Sequence, residues 1–156
     1  MMKNKDLSIF FNGLESVGKL NGFKFAFAVA KNLDLVRSEL IAFQKASEPS
    51  KEFAEYETKR EELCVQFSEK TSEGEPIILN NNYVIKDGKR SFDLKIKALK
   101  EDFKKALEIQ DKKVEESRKY LEEDCEVQLI ILVKSEIPDD INAEQLRAIK
   151  YMIKDY

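Results

Sequence analysis

From Ser91 to Glu123 the chain runs for 33 residues without a glycine or a proline. Phe92, Ile96, Leu99, Phe103, Ala106, Gln110, Val114, Ser117 and Leu121 recur at spacings of four and three, which places one mostly apolar stripe on one face of an α-helix. The other faces are charged. Asp93 with Lys97, Glu101 with Lys105, Glu108 with Lys112 and Glu115 with Lys119 pair opposite signs four residues apart, which supports an exposed helix. Straight, such a helix spans roughly 50 Å, whereas a domain of this size has a radius of gyration of about 15 Å. It must protrude, bend or pair with something.

The 156-residue chain is long enough for one domain with a real core, and its 37% charged residues with 3 Pro and 5 Gly suit long surface helices joined by short loops. A net charge of −3 gives no global pull toward nucleic acid or an anionic membrane. No apolar run approaches the ~20 residues of a membrane span, and the N-terminal MMKNKDLSIFF has no signal-peptide core, so neither membrane insertion nor export is expected. Cys64 and Cys125 read as reduced structural thiols.

Helical periods place a first helix at Asp6 to Val17, through Leu7, Phe10, Leu14 and Val17, with Asp6 as N-cap. A second helix runs to about Ala46 on Ala26, Val29, Leu33, Val36, Leu40 and Phe43; Phe23, Phe25 and Phe27 alternate with the period of a strand, but the longer stripe favours helix. Pro49, with Ser47 or Ser50 as cap, restarts a third helix that reaches about Lys70 through Phe53, Tyr56, Arg60, Leu63 and Phe67. Ile77–Leu79 and Tyr83–Ile85 flank Asn80, Asn81 and Asn82, a hairpin whose turn residues tolerate positive φ. Ser91 is the expected cap of the long helix. Val127 to Val133 reads as a buried strand, and Asn142 with Gln145 as a capping box opening a last helix that runs to the terminus.

The expected fold class is therefore α+β, mainly α: an antiparallel bundle of long helices with a small β-hairpin and a late strand, in one domain over residues 1–156. Within it, 1–76 hold helices one to three, 77–90 the hairpin, 91–124 the long helix and 125–156 the strand and C-terminal helix. Seven strand residues cover only about 25 Å, so hairpin and late strand cannot share a sheet across a straight 50 Å helix. Either the helix breaks, near Gln110 to Lys113 where its stripe is weakest, or the strand pairs with another subunit. An isolated hairpin is marginal in water; the second option is favoured and implies a homo-oligomer.

With His absent, the commonest general base, the commonest zinc ligand and the His-based triads are all missing, which disfavours an enzyme. Gly13 to Lys19 has the spacing of a phosphate-binding loop, but Leu20 stands where Ser or Thr must hold magnesium, so a short helix with a glycine exit is the expected structure. Adjacent carboxylates such as Glu61/Glu62 and Glu122/Glu123 point apart on a helix, and no metal or cofactor site is expected. The informative charge is local. Ile77 to Lys100 holds six basic residues against Asp87 and Asp93, where free helix-start N–H groups also favour an anion. Asn80, Asn82, Tyr83, Lys86, Lys89 and Arg90 are thus the candidate binding residues for a nucleotide-like ligand.

The segments LNGFKFAFAVAKNLDLVRSEL, EYETKREEL and IPDDINAEQLRAIKYMI resemble a family of small proteins of tailed bacteriophages of Gram-positive hosts, catalogued as a domain of unknown function. The resemblance carries no catalytic motif. It implies a phage or prophage protein in the cytoplasm of a bacterial host. The expected function is a non-enzymatic binding protein, a counter-defence factor that sequesters a nucleotide-type immune signal. The alternative is an assembly, scaffolding or host-protein-binding factor acting through helical surfaces. Expected partners are a second copy of the chain and either a small nucleotide-like ligand or a host or phage protein.

Overall fold

Leu7, Phe10, Leu14 and Val17 recur with helical period, and in the computed structural model, which describes residues 1–156, they form the buried face of α1 (Leu7–Val17). α1 packs against α2 (Phe23–Ser47) and α6 (Ala143–Ala148). Gly13 makes the second contact possible, because a Cβ there would sit 2.8 Å from the backbone oxygen of Ala148. The remaining helices are α3 (Lys51–Phe67), α4 (Lys89–Asp102) and α5 (Lys104–Glu122); β1 (Ile78–Leu79) pairs antiparallel with β2 (Asn82–Tyr83). The protein is mainly helical with one two-stranded sheet. Its chain divides into two units: Met1–Glu48 with Glu115–Tyr156, and Pro49–Val114.

The first unit holds the larger core. Leu7, Phe10, Leu14 and Val17 meet Phe25, Ala28, Val29 and Val36 of α2, and Leu132, Ile149 and Met152 close it. Each large side chain so buried contributes about 1.5–3 kcal/mol. α6 opens on the expected capping box, Asn142 and Gln145 exchanging side-chain-to-backbone hydrogen bonds of 2.9 and 3.1 Å. The N-terminal segment caps the C-terminus of α5, whose last carbonyls lack helical partners. The Lys3 ammonium and the Asn4 amide donate to the Glu122 and Tyr120 carbonyls at 2.6 and 2.9 Å. Lys5 adds an ion pair to Glu122, and positive charge there opposes the helix dipole.

The second unit is built on aromatic contacts between α3 and its neighbours. The Tyr56 ring lies 5.9 Å from Phe103 and the Phe67 ring 5.8 Å from Phe92, around buried Cys64, Leu99 and Ala106. Glu69 anchors both arms of the hairpin: its N–H donates to the Val84 carbonyl at 2.7 Å, and its carbonyl accepts from the Ile77 N–H at 2.8 Å. Asn80 and Asn81 both take positive φ, 50° and 61°, as the Asn-rich turn requires. Ser50 caps α3 by accepting from the Phe53 N–H at 3.1 Å.

Several expectations need correction. Ser91 is not a cap; α4 starts two residues earlier, where Gly88 takes φ 72° and turns the chain. The long helix is interrupted at Phe103 (φ −106°, ψ 17°), not at Gln110 to Lys113. The ladder continues through the interruption, from Phe103 N–H to Leu99 and from Leu107 N–H to Phe103, but the apolar stripe changes phase beyond it. Val114 is 57% exposed, and Tyr120 becomes the packed residue instead, stacked 5.4 Å from Phe43. Asp6 stands at the expected N-cap position of α1, but its carboxylate caps no N–H of that helix; it accepts the Lys3 N–H at 3.0 Å in a preceding 3₁₀ turn, Asn4–Asp6. α3 ends at Phe67, before Lys70, because Glu69 is drawn off to the hairpin. The last helix stops at Ala148 and gives way to a 3₁₀ turn, Lys150–Met152.

Val127 to Val133 is not a strand of a sheet. It runs without turn or bend, and a lone parallel bridge joins Leu132 to Ile153. Where a neighbouring strand would lie, the wholly buried Asn32 of α2 presents its amide: Nδ2 donates to the Ile130 carbonyl at 3.0 Å, and Oδ1 accepts from the Ile130 N–H at 2.8 Å. A side-chain amide carries the same donor and acceptor as a peptide group, so one helical residue satisfies both backbone groups of Ile130.

Candidate functional site

The hairpin residues are scattered over surface structure. Asn80 and Asn82 lie exposed at its turn, where the Asn82 amide donates to the Asn80 carbonyl at 2.9 Å. Tyr83 reaches α3, donating its hydroxyl to Glu61; that hydrogen bond, with the charge behind it, raises the phenol pKa. Lys86 pairs with Glu69 at 2.9 Å. Lys89 and Arg90 stand exposed in the first turn of α4, whose start has no side-chain cap. Tyr83 and Lys86 are thus engaged with acidic neighbours, while Lys89 and Arg90 remain available to an anion.

Gly13 to Lys19 belongs to α1 and its exit: Gly13 is buried against Ala148 and Gly18 ends the helix, so no loop wraps a phosphate there. Nowhere do three or more His, Cys, Asp or Glu side chains converge as a metal would require. The first unit does contain a polar cavity of about 300 Å³ lined by Asn4, Glu39, Tyr120, Glu123, Asp124, Glu126 and Val127. Within it, the Tyr120 hydroxyl donates to Glu39 at 2.5 Å; burial first, and that bond second, push the phenol pKa up. Both cysteines are free, and burial raises both thiol pKa values, which makes them poor nucleophiles.

The conspicuous surface feature lies at the start of α2. Three phenylalanines two apart cannot all face inward from a helix, whose neighbours on one face are three or four apart. Phe25 is buried, whereas Phe23 and Phe27 are 87% and 50% exposed and stack on each other, centroids 6.4 Å apart. The Lys31 ammonium lies 6.0 Å above the Phe27 ring, and Lys24 is tied to Glu136 at 2.9 Å. A shallow 520 Å³ depression lined by Asn21, Gly22, Phe23, Lys24, Phe25, Ser135, Glu136, Ile137 and Pro138 adjoins it. Sequence reasoning missed this pair, although the period-two spacing inside a helical stripe already required it. It missed Asn32 as well, whose signal was its place three after Val29 and four before Val36, a polar residue in line with the apolar stripe.

Fold and surface together define a mainly helical protein whose prominent features are open surfaces. Compared with family models, curated proteins and solved structures, the chain matches none. No helix is long and apolar enough to cross a membrane.

Proposed function

We propose that this protein is a non-enzymatic binding factor that grips a protein partner through the aromatic face at the start of α2. The observation that carries this reading is the Phe23–Phe27 pair, two large rings left in water and stacked on each other, with Lys31 beside them. Covering one such ring gains about 1.5–3 kcal/mol, and aromatic anchors with adjacent cations are the composition of interface hot spots. The likeness to small phage proteins supports a bacterial host cytoplasm as the setting and a host or phage protein as the partner. Sequestration of a nucleotide immune signal keeps one support, the uncapped start of α4 with Lys89 and Arg90 exposed in its first turn.

A photo-crosslinking residue placed at Phe23 in producing cells tests the first reading against the second. The expected result is a discrete adduct with another protein, weakened by Phe27→Ser and not formed from a crosslinker at Asn81. Absence of that adduct, together with a rise in melting temperature on adding nucleotides to the purified protein, would favour the nucleotide reading.

A further inference from the structure

Backbone accounting over Gln128–Val133 leaves one edge open. Ile130 gives its N–H and C=O to Asn32, at 2.8 and 3.0 Å. Leu132 donates its N–H to the Met152 carbonyl and accepts from the Lys154 N–H, both at 2.8 Å. In an extended chain alternate residues turn their polar groups to the same edge, so Ile130 and Leu132 fill one edge from within the chain. Leu129 and Ile131 turn theirs to the opposite edge, where neither N–H nor C=O finds a hydrogen-bond partner. The side chains there are also in water: Ile130, Ile131 and Val133 are 36%, 49% and 42% exposed. An unpaired, β-branched, exposed edge is a template for another strand. At its C-terminal limit it is closed by Glu136, whose carboxylate accepts the Val133 N–H at 3.1 Å.

The sequence of the segment names the occupant. Glu126-Val127-Gln128-Leu129-Ile130-Ile131-Leu132-Val133-Lys134 reads nearly alike in both directions about Ile130. Set antiparallel against a second copy and centred there, Leu129 faces Ile131, Val127 faces Val133, and Glu126 faces Lys134. Leu129 and Ile131 carry the open groups, so each Leu129–Ile131 pair is of the type that exchanges two backbone hydrogen bonds. The two-fold axis generates that pair twice and, at each end, brings Lys134, which opens a 3₁₀ turn (Lys134–Glu136) just past the extended stretch, beside Glu126 of the other copy. Glu126 and Lys134 are both exposed and have no ion-pair partner within the chain. Sliding the register by two in one direction sets Glu126 against Glu136. In the other direction Lys134 would meet Asp124, where the edge is already taken by the N-terminal segment: Lys3 and Asp124 form a backbone bridge, and the Cys125 N–H donates to the Met2 carbonyl at 2.9 Å.

We propose that two copies of this chain associate through Gln128–Val133 as an antiparallel strand pair centred on Ile130, with Glu126 of each copy against Lys134 of the other. The interface does not require the aromatic face of α2 to bind a partner, although Glu136 adjoins both surfaces through Val133 and Lys24.

Sedimentation equilibrium on the full chain tests it with E126K, K134E and the E126K/K134E double variant. Unmodified protein is expected to form a dimer of twice 18.1 kDa. Each single variant turns both end pairs into like-charge pairs and should weaken the dimer roughly tenfold. The double variant restores opposite signs and should return to within about twofold of the original. Both positions are exposed, so the fold should be unchanged, which circular dichroism of each variant checks. A monomer at millimolar concentration, an assembly larger than a dimer, a dimer indifferent to the single variants, or a double variant that fails to recover would each overturn the proposal.

Discussion

Replacing Asn32 with alanine should loosen the chain at Ile130, about a hundred positions away in sequence. The side chain is completely buried and holds both backbone groups of Ile130. Truncation leaves an N–H and a C=O without partners. A buried orphan of this kind costs about 1–3 kcal/mol; since Ile130 is partly open to water, the lower end applies to each group. The lost carboxamide leaves a small void as well, and the sum is about 2–4 kcal/mol. In a chain of this size 1 kcal/mol moves the melting temperature by about 2–4 °C, so a drop of roughly 4–16 °C is expected. Asn32→Leu refills the void without restoring either bond and should lose nearly as much. Thermal and urea unfolding by circular dichroism measure the loss, and amide exchange at Ile130 locates it. Stability within about 0.5 kcal/mol of the original in both variants, or unchanged Ile130 exchange, would refute the idea that one side-chain amide replaces a strand.

Three further outcomes follow from single contacts. Gly13→Ala should destabilise by about 1–3 kcal/mol in urea unfolding despite alanine's better helix propensity, because its Cβ meets the Ala148 carbonyl oxygen at 2.8 Å. Tyr120 has a pKa raised above 10.0 by burial and by Glu39, so its contribution is complete below pH 10 and is lost as pH rises through the higher folded-state value. Tyr120→Phe should therefore make the alkaline fall in melting temperature shallower, and an unchanged profile would count against the Glu39 contact. Cys64 and Cys125 should react with a thiol reagent at neutral pH far more slowly in the native protein than in urea, because burial raises both pKa values; equal rates would contradict their placement.

What could be read from the sequence was set by local chemistry. The helical periods of α1, α2 and α3, the Ser50 cap, the Asn142–Gln145 box and the Asn80–Asn81 turn depend on residues within four positions of each other, and all are present. What could not be read depends on distant partners. Phe103 leaves helical geometry where its ring meets Tyr56 and the Lys59 ammonium, contacts made from another helix. Val127 to Val133 has every property of a strand except a neighbouring strand, because Asn32 supplies the hydrogen bonds from a helix. The candidate binding residues at the hairpin rest on local charge, a helix start and the polar Asn and Tyr side chains; the contacts of Tyr83 with Glu61 and of Lys86 with Glu69 come from α3 and the residues just after it and could not be read from that stretch.

The central claim is that Gln128–Val133 is held along one edge by its own chain and offers the other to a second copy. Residue-resolved amide exchange, measured in dilute and in concentrated solution, reads both edges at once. Ile130 and Leu132 should be protected at every concentration, because Asn32 and Met152 accept their N–H groups within the chain. Leu129 and Ile131 should exchange freely when dilute and gain protection together as concentration rises. Equal protection of all four amides, or no dependence on concentration at Leu129 and Ile131, would contradict the account.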